Sequence, residues 1–307
     1  MNIRIGSRGS ALALSQTTAV VSLLQAAYPG ADIPLTTITT TGDRLTDVPL
    51  SVAARQDAGL FTSALEHALL DAQIDIAVHS LKDMLIELTP GLVIAAIPVR
   101  ENPSDVIVSR RGHTLSELPH GATVGSSSRR RTAQLLRLRP DLNVIDLRGN
   151  VDTRLRKVFD PAGPYDAIVL AYAGLSRLGR LDAISEVLPI ETFLTAPGQG
   201  ALAIQTRDDS YWLSLLAPLN HRDTAEAVAA ERAFLSGLGG GCTLPVGAYG
   251  IVGGSRLNLS AEVLTPDGRN RIFVEGTFDR GDPSHAGRAL ARQALAQGAA
   301  AFLEQES

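Results

Sequence analysis

The feature that most constrains this chain is a strand–helix alternation written twice. Residues 3–7 alternate like a strand, 11–27 have helical spacing and stop at Pro29-Gly30, and 33–40, 60–72, 74–79 and 92–99 follow as strand, helix, strand and strand. A second series runs through 106–109, 123–125, a helix over 129–138, 144–147, a helix from Val151, and 167–171. Parallel strands need long crossovers, so this rhythm predicts doubly wound parallel sheets. The break between the two series falls at Arg100-Glu101-Asn102-Pro103. At 307 residues the chain also exceeds one ordinary core.

Residues 201–206 read as a further strand that returns to the first sheet. The tail differs. A helix capped by Asp223 and Glu226 ends near Gly237, strands follow over 246–252, 257–264 and 272–278 around the turn Pro266-Asp267-Gly268, and an alanine-rich helix closes the chain from about His285. The expected fold is therefore α/β: two doubly wound domains (1–99 with 200–217, and 103–196) plus a small α+β domain with an antiparallel sheet (221–307). Residues 41–59 lack periodicity, which suits a binding loop or lid and equally a disordered surface insertion.

Charge and composition narrow the function. A net charge of -4 argues against wholesale nucleic-acid binding. No stretch reaches membrane-spanning length, and the first residues lack a signal peptide's apolar run. With one cysteine, the expectation is a cytoplasmic protein. Six scattered histidines and that cysteine give no metal-ligand spacing. Lys82 and Lys157 are the only lysines among 28 basic residues. A GC-rich composition accounts for most of that bias, but not for arginines set inside Ser/Thr/Gly segments, where the planar fork suits carboxylates and phosphates.

Those segments fall at strand ends, where open α/β sheets bind ligands. His79-Ser80-Leu81-Lys82-Asp83 follows an apolar strand and places Asp83 for acid–base work beside Lys82; an aspartate capping the next turn fits the same position. Gly125-Ser126-Ser127-Ser128-Arg129-Arg130-Arg131 leads from a strand into a helix. Cations in a first turn oppose the helix dipole unless an anion compensates, so this segment predicts an anion site rather than a plain serine cap. Leu147-Arg148-Gly149-Asn150-Val151-Asp152-Thr153-Arg154 repeats the pattern, Arg8 ends the first strand, and Arg177 follows Ala173-Gly174-Leu175. Together they predict a polyanionic ligand. No Walker sequence is present, so a nucleotide is not the first expectation. Pro197-Gly198-Gln199-Gly200 reads as a tight crossover in which Gln199 offers amide donors. Cys242, in Gly239-Gly240-Gly241-Cys242-Thr243-Leu244-Pro245, is either a small buried hydrophobe or a chemical handle on a turn that glycines permit. The upstream arginines favour the handle.

These pieces, taken in order, resemble the porphobilinogen deaminases. The resemblance spans nearly the whole chain: Ser7-Arg8 with Leu12-Ala13-Leu14, Thr41-Gly42-Asp43, Gly59-Leu60-Phe61, residues 78–83, 125–131, 147–151 and 171–177, Pro197-Gly198-Gln199-Gly200-Ala201, Glu231-Arg232-Ala233, and Gly240-Gly241-Cys242. It implies two periplasmic-binding-protein-like domains and a third carrying the cysteine. It implies a hydroxymethylbilane synthase, which joins four porphobilinogen molecules on a covalent dipyrromethane primer and releases the linear tetrapyrrole by hydrolysis. It places the primer on Cys242 through a thioether and the catalytic carboxylate on Asp83. It assigns cofactor binding to Ser80, Lys82, Asp83, Ser126, Ser127, Ser128, Arg130, Arg131, Arg148, Gly149 and Arg154. Substrate binding falls to Arg8, Arg148, Arg154, Arg177 and Gln199, with a monomer and no nucleic-acid or membrane partner. Ala58 departs from the family's usual lysine, with Arg55 as a substitute; Met84-Leu85 replaces a Val-Pro or Leu-Pro pair; and Arg129 takes an often apolar position. The competing readings are a non-catalytic anion-binding module and a thiol hydrolase pairing Cys242 with a histidine.

Overall fold

The computed structural model describes residues 1–39, 63–240 and 245–304, without the side chains of 303 and 304; the loop expected over 41–59, with Arg55 and Ala58, and Cys242 lie outside the described residues. The elements begin with β1 (Ile5–Ser7), α1 (Ala11–Ala27), β2 (Leu35–Thr37), α2 (Ser63–Leu70), β3 (Ile76–Ser80) and β4 (Leu92–Ala96). They continue with β5 (Asp105–Ser109), β6 (Thr123–Gly125), α3 (Arg129–Leu138), β7 (Asn143–Ile145), α4 (Val151–Phe159), β8 (Ala167–Ala171), α5 (Tyr172–Arg177) and β9 (Glu186–Val187). The last are β10 (Leu202–Arg207), α6 (Ser210–Leu216), α7 (Arg222–Gly237), β11 (Val246–Gly253), β12 (Arg256–Leu264), β13 (Arg271–Asp279), α8 (Pro283–Ala296) and α9 (Ala299–Glu304).

The chain divides into two compact units, Met1–Glu101 with Ala201–Ala225, and Asn102–Gly200 with Glu226–Ser307. The first unit holds a five-stranded sheet in the order β2-β1-β3-β10-β4. The second holds a five-stranded sheet ordered β7-β6-β8-β5-β9 and the three-stranded sheet β11-β12-β13. Both five-stranded sheets are mixed rather than purely parallel. In the first, β1 runs parallel to β2 and β3, while β10 runs antiparallel to β3 and β4. In the second, β6 runs parallel to β7 and β8, while β5 runs antiparallel to β8 and β9. The antiparallel strand in each case is the one that follows a crossover, so it enters its sheet against the βαβ direction.

Side-chain alternation sets the cores. Ile76 and Val78 of β3 join Ile5, Val20, Leu24 and Trp212 on one face of the first sheet, while Ala77 packs with Leu65, Leu69 and Ile74 on the other. In the second sheet Ile107, Val124 and Val169 face one cluster, and Val106, Val108 and Ile168 the other. Helix α1 starts where Ser10 accepts a hydrogen bond from Ala13 N (3.3 Å). Helix α7 is capped differently from expectation: the ring Nδ1 of His221 accepts from Thr224 N (3.3 Å), so Asp223 and Glu226 lie inside the helix. Its C-terminus closes as a Schellman turn, with Gly240 N donating to Leu235 O (3.1 Å) and both Gly239 and Gly240 at positive φ. The expected closing helix is broken: α8 ends at Ala296 with Gln297 as its C-cap, Gly298 takes φ +98°, and α9 restarts. Gly287 of α8 lies against α7 so closely that a Cβ would come 2.2 Å from Ala230 O.

Candidate active site

In the first unit, β1 and β3 are parallel neighbours, so Arg8 and the Ser80–Asp83 segment leave the same edge of the sheet. Ser7 is buried: its hydroxyl donates to Arg8 O (3.0 Å) and bonds the Thr17 hydroxyl (2.9 Å). Ser80 ends β3 and accepts from Gln16 Nε2 (2.8 Å). A 3-10 turn over Leu81–Asp83 follows, held by Leu81 N on Ala201 O (3.0 Å) and closed by Met84 N on Leu81 O (3.2 Å). Leu81 and Met84 are buried, Lys82 is half-buried, and Asp83 is exposed. The turn thus plants two apolar side chains in the core and turns the carboxylate outward. His79, one residue before Ser80, is buried. Burial pushes its pKa down to about 4 against the pull of the Glu66 charge, so it is neutral near pH 7.

In the second unit, β6, β7 and β8 are parallel, and the segments that leave their C-terminal ends carry Ser126–Ser128, Arg148–Arg154 and Arg177. The three serine hydroxyls serve the backbone. Ser126 Oγ accepts from Ser128 N (3.2 Å), Ser127 Oγ donates to Leu147 O and accepts from Leu147 N (3.2 Å), and Ser128 Oγ caps α3 by accepting from Arg131 N (3.4 Å). Burial raises the Asp146 carboxyl, but the Ser127 hydroxyl and Arg148 outweigh it and hold Asp146 below the usual range. Arg148 Nε bonds Asp146 (2.9 Å), Arg154 Nε bonds Gly149 O (2.7 Å) at a glycine with φ +108°, and Arg177 Nη2 bonds Gly200 O (2.6 Å).

Arg130 and Arg131 have an internal partner that the sequence pattern does not reveal. The sequence pattern asks for an anion to offset cations in the first turn of α3, and the chain itself supplies one. Asp105, fully buried at the start of β5, accepts from Arg130 Nη2 (2.7 Å), Arg131 Nε and Nη2 (3.0 and 2.6 Å) and Gln199 Nε2 (2.9 Å). Both guanidiniums are buried as a result, and Gln199 spends its amide on Asp105 and Pro103 O (2.7 Å). Cations still outnumber carboxylates along this edge, so the donor set suits a ligand bearing several carboxylates. Sequence reasoning did not single out Asp105. Nor did it foresee that Glu231, in a segment noted only for its resemblance, accepts from Gly198 N (2.7 Å) and Gly250 N (2.9 Å). An acid opening an apolar strand after Pro103-Ser104 was the available signal for Asp105.

Comparison with known proteins agrees with this chemistry. The family described as "Porphobilinogen deaminase, dipyromethane cofactor binding domain" matches residues 3–214, and "Porphobilinogen deaminase, C-terminal domain" matches residues 225–296. The chain is 49% identical over 305 residues to the porphobilinogen deaminase of Pelotomaculum thermopropionicum, covering 98% of this chain and 96% of that one. It is 46% identical over 303 residues to that of Syntrophomonas wolfei, covering 98% of each. Among solved structures it is similar to the methionine binding protein MetQ, at 15% identity and a TM-score of 0.43 over 71% of this chain and 88% of that one. Two family matches that together run from residue 3 to residue 296, and near-half identity over almost the whole length, leave one conclusion: the chain belongs to the porphobilinogen deaminase family.

Proposed function

We propose that this chain is a hydroxymethylbilane synthase. It condenses four porphobilinogen molecules stepwise, releasing ammonia each time, and frees the linear tetrapyrrole by hydrolysis. The observation that carries the reading beyond family membership is the outward carboxylate of Asp83, fixed by a buried turn at the same sheet edge as Arg8. Asp83 gives a proton to the leaving amine and, once ionised, steadies the positive charge left on the substrate's methylene carbon. Arg8, Arg148, Arg154 and Arg177 take the acetate and propionate carboxylates that each pyrrole brings, and Gln199 supports that edge through its bonds to Asp105 and Pro103 O.

Ser80, Lys82, Asp83, Ser126, Ser127, Ser128, Arg130, Arg131, Arg148, Gly149 and Arg154 hold a dipyrromethane cofactor attached to Cys242. The surplus of guanidiniums along the second edge supports this assignment. When bound, the cofactor supplies the nucleophilic pyrrole carbon on which the product chain is started. The serine hydroxyls and Asp105 keep the second edge in shape for it, because they fix the turn and both arginine forks. We further read the chain as a cytoplasmic monomer of three domains, 1–99 with 200–217, 103–196, and 221–307, without nucleic-acid or membrane partners. The single cysteine and the net charge of -4 support that reading. Intact-mass analysis of the purified protein tests the proposal. The expected result is an increase by two deaminated porphobilinogen units on Cys242; an unmodified, freely alkylated thiol in active enzyme overturns it.

A further inference from the structure

Helix α3 presents Arg130, Gln134 and Arg137 at i, i+4 and i+7, on one face. That face packs on β12 of the C-terminal sheet, and Glu262 of β12 interacts electrostatically with both arginines. Glu262 and Gln134 are fully buried and Arg130 nearly so. Leu194 gathers the groups. Its carbonyl accepts from Arg130 Nη1 (2.5 Å) and Gln134 Nε2 (2.8 Å). Its Cβ lies 2.8 Å from where a Cβ on Gly247 would stand, a point that is also 3.2 Å from Glu262 Oε1. Glu262 Oε2 is taken by Arg271 Nε (2.6 Å).

Four buried atoms remain without a protein partner here: Arg130 Nε, Arg137 Nε, Gln134 Oε1 and Glu262 Oε1. Two are donors and two are acceptors. Buried polar atoms left unpaired are costly and uncommon, and their usual remedy is an ordered water with two to four polar partners. A water accepts two hydrogen bonds and donates two, which is the complement of this set. A metal cation is repelled by the guanidiniums, and an anion by the two acceptor oxygens. Burial pushes the Glu262 carboxyl up, against Arg271 of β13 and Arg137 and Arg130 of α3.

We propose that these four atoms enclose a bound water, and that through it Glu262 acts as a positioning residue for Arg130. The C-terminal sheet would then orient the arginine whose fork is shared between Asp105 and Leu194 O. The water itself needs no functional reading, whereas the consequence for Arg130 rests on the role proposed above for that residue.

The test has two arms. The first is a crystal structure of the holoenzyme that resolves ordered water. A water within about 3.2 Å of at least three of the four atoms is expected; direct contact of Glu262 Oε1 with Arg130 or Arg137 and no water overturns the proposal. The second compares Glu262→Gln, which keeps an acceptor oxygen, with Glu262→Leu, which does not. Glu262→Leu is expected to lower the fraction of chains carrying the cofactor mass and to raise KM for porphobilinogen about tenfold, with kcat moving less and Glu262→Gln near wild type. Wild-type cofactor loading and KM in Glu262→Leu overturn the positioning role. Should Glu262→Leu not fold, Glu262→Met decides on the same two readouts: lowered cofactor loading with a raised KM supports the role, and wild-type values of both overturn it. Arg130→Lys separates the two readings. If it leaves loading and KM untouched, the binding role of Arg130 fails, while the first arm still decides the water.

Discussion

Asp105 shows how one side chain answers a demand the sequence makes elsewhere. Its partners lie 25, 26 and 94 residues away, so its place at the head of an apolar strand marks it only as an acid and not as the counter-charge of that pair. Asp83 is the opposite case: its place after an apolar strand is enough to mark it, and the structure turns it outward. The two acids therefore predict different phenotypes. Asp83→Ala is expected to cut turnover by more than the roughly 10²–10⁴-fold attributable to acid–base help, with an unchanged melting temperature; a rate near wild type would remove Asp83 from the chemistry. Asp105→Asn leaves two buried guanidiniums short of a counter-charge and should cost about 3–5 kcal/mol in urea unfolding. A loss near zero would show that ligand carboxylates, not Asp105, balance that pair. His79 adds a pH dependence. The unfolded chain takes up its proton near pH 6.5 and the folded one near 4, so folding stability falls as pH drops through that window, by up to about 3 kcal/mol. Urea midpoints between pH 4 and 7 should show the slope, and His79→Gln should flatten it.

At the scale of elements, the helices were the most legible. The bounds expected for α1 and α3 are those observed, because apolar spacing and serine caps act within a turn or two. Strands β6 and β8 match their expected bounds, while the others drifted by one to three residues; β2 and β7 keep only the three residues that find partners in register. Helices α5 and α6 went unforeseen; both are short, and α6 is announced by little more than its Asp209 cap. The break in the closing helix was equally hidden, because a glycine near a chain end looks like any other until its φ is known. Gly287 carries the element-level prediction. Gly287→Ala places a methyl against the Ala230 carbonyl and the Phe234 amide and forces α8 away from α7. A loss of about 1–3 kcal/mol is expected in thermal or urea unfolding, and none if the two helices separate freely.

Across the whole molecule, two α/β lobes and an antiparallel C-terminal sheet were readable from rhythm alone, but the mixed character of the large sheets was not. Strand direction depends on which neighbour a strand meets, and β10 meets β3 and β4 only after the chain has built another sheet in between. The fragment 1–101 therefore lacks an interior strand and is expected to show no cooperative transition by circular dichroism. Adding residues 201–225 as a separate peptide should restore one.

The same strand order bears on birth at the ribosome, where the chain emerges from its N-terminus. The sheet that contains β1 waits for Arg207, whereas the one built from 105–187 has all its strands earlier. The lobe translated first is thus the lobe completed last, and for the intervening hundred or so residues its β3 and β4 face solvent and chaperones without the strand that belongs between them.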